Sequence, residues 1–94
     1  MELASFRSKP LQRFWERGIA RGLPVQNAEK VRRLLSFLAD MADIEEFLAL
    51  PLGRPHRLTG DREGTYAVSI TANWRLTFVM DGETLRDFDL EDYH

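Results

Sequence analysis

The hydrophobic period of this chain changes once, near Gly53, and that switch limits the fold more than any other feature of the sequence. Upstream, Ala28, Val31, Leu35, Leu38 and Ala42 recur at spacings of three and four, and Leu34 and Phe37 widen the stripe. This predicts an amphipathic helix over about residues 26–41. A shorter helix is expected before it, where Ser8 can cap and Pro10 fits the first turn; Leu11, Phe14 and Trp15 share one face and Gly18 suits the stop. Asp43 followed by Glu46 has the form of a capping box, opening one more helical turn through Phe47 and Leu48 that Pro51 ends.

Downstream the period is two. Tyr66, Val68 and Ile70 fall on one face of a strand, and Trp74, Leu76, Phe78 and Met80 on one face of the next. Asp81-Gly82 reads as a two-residue hairpin turn leading into an antiparallel strand over about residues 84–91. In that strand Leu85 is out of step with Phe88 and Leu90, which predicts a bulge or an edge position. Leu3 to Phe6 is a candidate first strand. The order gives an α+β class: an antiparallel sheet of about four strands, with two main N-terminal helices on one face and the other face left for function.

A chain of 94 residues with 44% hydrophobic content is expected to build one core, so residues 1–94 read as a single domain. The absence of cysteine excludes disulfides and thiolate metal sites. With no apolar run near the ~20 residues that cross a bilayer and no signal-peptide pattern, a cytoplasmic protein without a membrane role is expected. The net charge of -2 speaks against a free nucleic-acid binder, but the charges are unevenly placed. Residues 1–33 carry eight basic and three acidic side chains and residues 54–75 four and two, whereas residues 76–94 carry one and six. Eleven of the thirteen cations are Arg, whose planar fork grips phosphate or carboxylate at two points.

Four residues are candidates for proton transfer: His56, Asp92, Tyr93 and His94. They include both histidines, the side chains best placed to exchange a proton near neutral pH. In an extended segment Asp92 and His94 share a face and Tyr93 takes the other. Three readings remain open from these residues alone: a frayed tail with a loop histidine beside Pro55, a two-His-one-carboxylate metal site, and a catalytic group. Arg54, Arg57, Arg62 and Arg75 are either a phosphate clamp or a solubilising rim.

The chain resembles the HigB family of plasmid maintenance killer proteins, within the RelE and ParE toxin superfamily. The resemblance rests on Ser5-Phe6-Arg7, the helix Ala28-Glu29-Lys30-Val31-Arg32-Arg33-Leu34, the loop His56-Arg57-Leu58-Thr59-Gly60-Asp61-Arg62, the strand Asn73-Trp74-Arg75-Leu76-Thr77-Phe78 and the terminal Asp92-Tyr93-His94. It implies a RelE-like fold and a ribosome-dependent endoribonuclease that cuts mRNA in the A site with no cofactor and no metal. It also implies a HigA-like helix-turn-helix antitoxin, with operator DNA reached only through the antitoxin complex. Carried across, His56, Asp92, Tyr93 and His94 match residues needed for cleavage and Arg75 a phosphate-side arginine, which together make the catalytic set; beside such a site Arg54, Arg57 and Arg62 are expected, on residue type, as RNA and phosphate contacts. Two positions depart from the family pattern: Thr59 stands where many relatives have lysine, and Thr71 where many have asparagine. A ParE-like gyrase poison without nuclease chemistry, and an inactive antitoxin-binding module, are the alternatives that share the fold.

Overall fold

The computed structural model describes residues 1–92. In chain order the elements are β1 (Glu2–Leu3), α1 (Lys9–Arg17), α2 (Ala28–Asp40), α3 (Ile44–Leu48), β2 (His56–Arg57), a 3-10 turn (Gly60–Arg62), β3 (Thr65–Ser69), β4 (Trp74–Asp81) and β5 (Thr84–Asp92). Helices α1 and α3 begin at their expected caps, and α2 begins at Asn27, a cap not among those expected. The Ser8 hydroxyl accepts from the Leu11 N–H, the Asn27 side chain from Lys30, and Asp43 and Glu46 form a reciprocal capping box. Gly18 closes α1 in the left-handed conformation at φ 74°. One detail of the expected stripe differs. Helix α2 stops at Asp40, the extended Met41 turns inward to 4% exposure, and Ala42 is left outside.

The sheet has five strands in the order β1-β5-β4-β3-β2. Strands β3 to β5 pair antiparallel, as alternation and the hairpin predict, and His56–Arg57, expected in a loop, adds β2 antiparallel to β3; β1 lies parallel to β5 and Phe6 adds a parallel bridge to Phe88. The candidate strand Leu3 to Phe6 is therefore split in two. A parallel partner needs a long crossover, here all the intervening helices and strands, and local periodicity cannot reveal one. The β4–β5 turn is also displaced by one residue from the expected Asp81-Gly82. Asp81 pairs with Thr84, so Gly82 and Glu83 form the loop, and the positive φ of 64° at Gly82 suits a glycine in the first loop position.

Helices cover one sheet face. Leu11, Val31, Leu35, Leu38 and Phe47 pack on Val68, Leu76, Phe78, Leu85 and Phe88, all essentially without solvent exposure. The Phe47 ring meets Phe78 edge-on at 5.1 Å, and Phe78 stacks on Phe88 at 5.2 Å. The misfit at Leu85 is resolved by a β-bulge. Between the pairs Val79↔Arg86 and Thr77↔Asp89, β5 spends one residue more than β4, and Asp87 takes φ 59°. Leu85, Phe88 and Leu90 consequently all point inward. Ser5 supports the bulge with its carbonyl, which accepts from Phe88 N, and its hydroxyl, which accepts from Asp87 N.

Candidate functional site

The alternation that buries Val68, Leu76 and Leu90 sends Ser69, Arg75, Thr77 and Glu91 to the face away from the helices. The bulge decides which residue meets Arg75 there. Without the extra residue in β5, Leu90 would stand opposite Arg75 on the polar side; with it, Glu91 does. Arg62, at the end of the 3-10 turn, folds over the same ground. Its two terminal nitrogens donate to the two oxygens of Glu91 at 2.8 and 2.6 Å. Arg75 donates to Glu91 Oε1 at 3.2 Å and the buried Thr77 hydroxyl to Oε2 at 2.7 Å. Hydrogen bonds from Arg62 outweigh partial burial, and with those from Thr77 and Arg75 they hold the Glu91 carboxyl down at about 2, from a usual 4.5. The same hydrogen bond raises Arg62 further. Neighbouring Asp89 moves the other way, pushed up mainly by burial. A cleft of about 220 Å3 opens beside this network, with Arg7, Arg62, Thr77 and Glu91 on its walls.

His56 pairs with Ala67 and so belongs to the same polar face, two strands from Arg75. Its exposed ring places Nδ1 2.8 Å from the Arg54 carbonyl oxygen, which only accepts, so Nδ1 carries the hydrogen and Nε2 of the neutral ring keeps its lone pair for proton exchange. Arg54, Pro55, His56 and Ser69 border a second concavity of about 330 Å3. Arg57 is directed elsewhere: its guanidinium lies 5.6 Å from the centre of the Tyr66 ring, on the core side of the sheet. A larger cavity, about 580 Å3, lies between α2 and residues 50–53 and is walled largely by Leu34, Phe37, Leu50, Leu52 and Val68. His56 is not among the residues that line it.

Residues 4–94 match the family of HigB-like toxins, described as RelE-like toxins of the type II toxin-antitoxin system HigB. The chain belongs to this family. It is 33% identical over 92 residues to Endoribonuclease HigB of Proteus vulgaris, covering 98% of this chain and 99% of that protein. Two solved structures show the same fold over its whole length. They are a YoeB/ParE toxin from Agrobacterium tumefaciens, with TM-score 0.62, 24% identity and all of both chains covered, and the YoeB dimer of Staphylococcus aureus, with 0.57, 18% and 97% of that chain. The S. aureus YoeB is also described in a heterotetrameric complex with the antitoxin YefM.

Within this HigB-like toxin the structure groups some sequence-predicted residues and separates others. It joins Arg62 to Arg75 through Glu91, and sets His56 beside Arg54. Asp92 pairs with Trp74, which puts it by register on the face of Leu76 and Leu90, opposite to that of His56. Three strand spacings separate His56 from Asp92, about 14 Å sideways. That separation on opposite faces does not suit one metal ion shared by the two. Tyr93 and His94 lie outside the described residues. Sequence reasoning passed over Glu91, because it sits in an acidic stretch that reads as solvated surface; only the bulged register brings it opposite Arg75.

Proposed function

We propose that this HigB-like toxin is an endoribonuclease that cuts mRNA in the ribosomal A site, by attack of the RNA's own 2′-hydroxyl and without a metal or organic cofactor. The observation that carries the reading is full-length similarity to a protein named Endoribonuclease HigB. The polar face supports it. Arg75 is a half-buried cation held in place by its neighbours, suited to meet charge growing on a phosphate, and His56 offers an outward nitrogen for a proton or a phosphate oxygen. In the reaction the 2′-oxygen bonds to phosphorus and gives its proton to a base, while the bond to the 5′-oxygen breaks and that oxygen takes a proton. His94 exchanges one of these protons, Asp92 favours its charged form, and Tyr93 stacks on a splayed base. Arg54, beside His56, contacts a flanking phosphate, whereas Arg57, over Tyr66 on the other side of the sheet, does not join it.

The partners in this reading are the ribosome with its message, and a HigA-like antitoxin that alone brings the toxin to operator DNA. Among the described residues no helix is long and apolar enough to cross a membrane, in keeping with a cytoplasmic site of action. The test is to incubate purified protein with message, either on translating ribosomes or naked, and to map 5′ ends. Cleavage at the A-site codon is expected on ribosomes, with naked RNA nearly intact and no effect of a zinc-selective chelator that leaves ribosomal magnesium in place. Equal cutting of naked RNA would remove the ribosome from the account. Growth arrest with uncut message would favour a gyrase poison.

A further inference from the structure

Glu91 has no role in the reading above, yet its carboxylate is the centre of the polar face. Four hydrogen bonds converge on it: two from the Arg62 fork, one from Arg75 and one from the Thr77 hydroxyl. Glu91 and Arg75 side chains are each only 19% exposed, whereas Arg62, on the outer side, is 38% exposed. A lone glutamate beside Arg75 would cancel the charge that a phosphate needs. Here Arg62 supplies a second positive charge to the same carboxylate, so Glu91 is shared between two cations and does not neutralise Arg75 alone, while Asp61 and Asp89 act on Arg62 from nearby. With both terminal nitrogens on Glu91, the Arg62 fork is also engaged end-on and cannot grip a phosphate in the same way.

We infer that Glu91 is a positioning residue for Arg75, with Arg62 serving as its counter-ion and not as a direct phosphate contact. The inference rests on the endoribonuclease reading and deepens it. A long arginine stem has many rotamers, and a cation free to sample them meets the reacting phosphate in the right place only part of the time. The carboxylate holds the guanidinium before substrate arrives. Glutamine at position 91 keeps the shape but exchanges one accepting oxygen for a donating NH2, so one nitrogen of the Arg62 fork loses its acceptor and the negative charge that holds both arginines is gone.

The test is a double-mutant cycle on the rate constant for single-turnover cleavage of ribosome-bound message, with ribosome affinity measured in parallel. Glu91→Gln is expected to slow cleavage roughly 10- to 100-fold and to change affinity by less than about twofold. Placed on an Arg75→Ala background, Glu91→Gln should change the remaining rate by less than about twofold, because a residue acting through Arg75 has nothing left to position. Arg62→Ala provides an independent arm that leaves the carboxylate in place: it should slow cleavage less than Glu91→Gln and likewise lose its effect without Arg75. A wild-type rate for Glu91→Gln, or losses that multiply in full with Arg75→Ala, would overturn the inference. If Glu91→Gln does not fold, the Arg62→Ala arm decides by the same criterion. Failure of the wild-type protein to cut would instead overturn the endoribonuclease reading itself, and this inference with it.

Discussion

The two sides of β4 divide the work of the molecule residue by residue. Leu76 and Phe78 point into the aromatic and aliphatic core and have no exposed surface, while Arg75 and Thr77, their immediate neighbours in sequence, join a charged network on the other side. The apolar side holds by area: its contacts are many, each weak and tolerant of direction. The polar side holds by geometry, since a few charge-assisted hydrogen bonds fix where a cation stands. Damage to the first should therefore appear as lost stability, and damage to the second as lost chemistry. The bulge in β5 serves both sides with one inserted residue, keeping Phe88 and Leu90 inward and Glu91 outward.

The largest effect should come from breaking the apolar side. Phe78 touches Phe47, Tyr66 and Phe88, and Phe78→Ala is expected to cost about 3–5 kcal/mol through lost burial and a residual cavity. In a domain of this size that lowers the unfolding midpoint by at least about 12 °C in a thermal melt. Gly53→Ala comes next. At φ +76° an added Cβ would stand 2.5 Å from Val68 Cγ2 and 2.8 Å from the Ser69 backbone oxygen, so about 2–4 kcal/mol should be lost by strain and overpacking. Chemical denaturation at neutral pH measures it, and a neutral substitution would show that the turn before β2 yields easily.

The polar side answers to a different measurement. Thr59 is exposed and its side chain makes no capping bond to the 3-10 turn, so Thr59→Lys removes no cap and adds a cation at the start of the turn that carries Arg62. Cleavage on ribosomes should rise by about tenfold, or ~1.4 kcal/mol of transition-state stabilisation, with the melt unchanged. An unaltered rate would mean that existing arginines already fill the position. The smallest expected effect is in acid. Because Glu91 titrates near 2 in the fold and near 4.5 when free of it, its contribution to stability is complete above about pH 4.5 and is lost as pH falls through about 2. Glu91→Gln should flatten that part of the curve of melting temperature against pH. Asp89 has the opposite sign: its raised value means the fold favours the protonated form, so Asp89→Asn should raise the melting temperature at pH 7.

Much of the helical layer was readable because its signals are local. Ser8 and the Asp43–Glu46 pair act within four residues of themselves, and a stripe such as Val31, Leu35 and Leu38 needs no distant partner to be recognised. Strands β3, β4 and β5 were legible for the same reason, but the two-residue β2 at His56–Arg57, too short to show alternation, was not. Strand β1 was not, since two residues pairing in parallel with a strand some eighty positions later carry no local pattern. The site lay between these cases. Arg75 and His56 could be named from residue type and family resemblance, but their surroundings depend on register, and register depends on a bulge at Asp87, where no glycine advertises a positive φ. A misfit in the pattern at Leu85 was the visible trace of the feature that places Glu91 against Arg75.

The division between the two faces is tested most directly by Arg75→Ala, assayed for cleavage of A-site message at a temperature where circular dichroism shows it as fully folded as the wild type. The account predicts a folded protein whose cleavage rate falls by about 100-fold or more, in the range seen when one preorganised charge-stabilising donor is removed. A folded Arg75→Ala protein that cuts at the wild-type rate would contradict it.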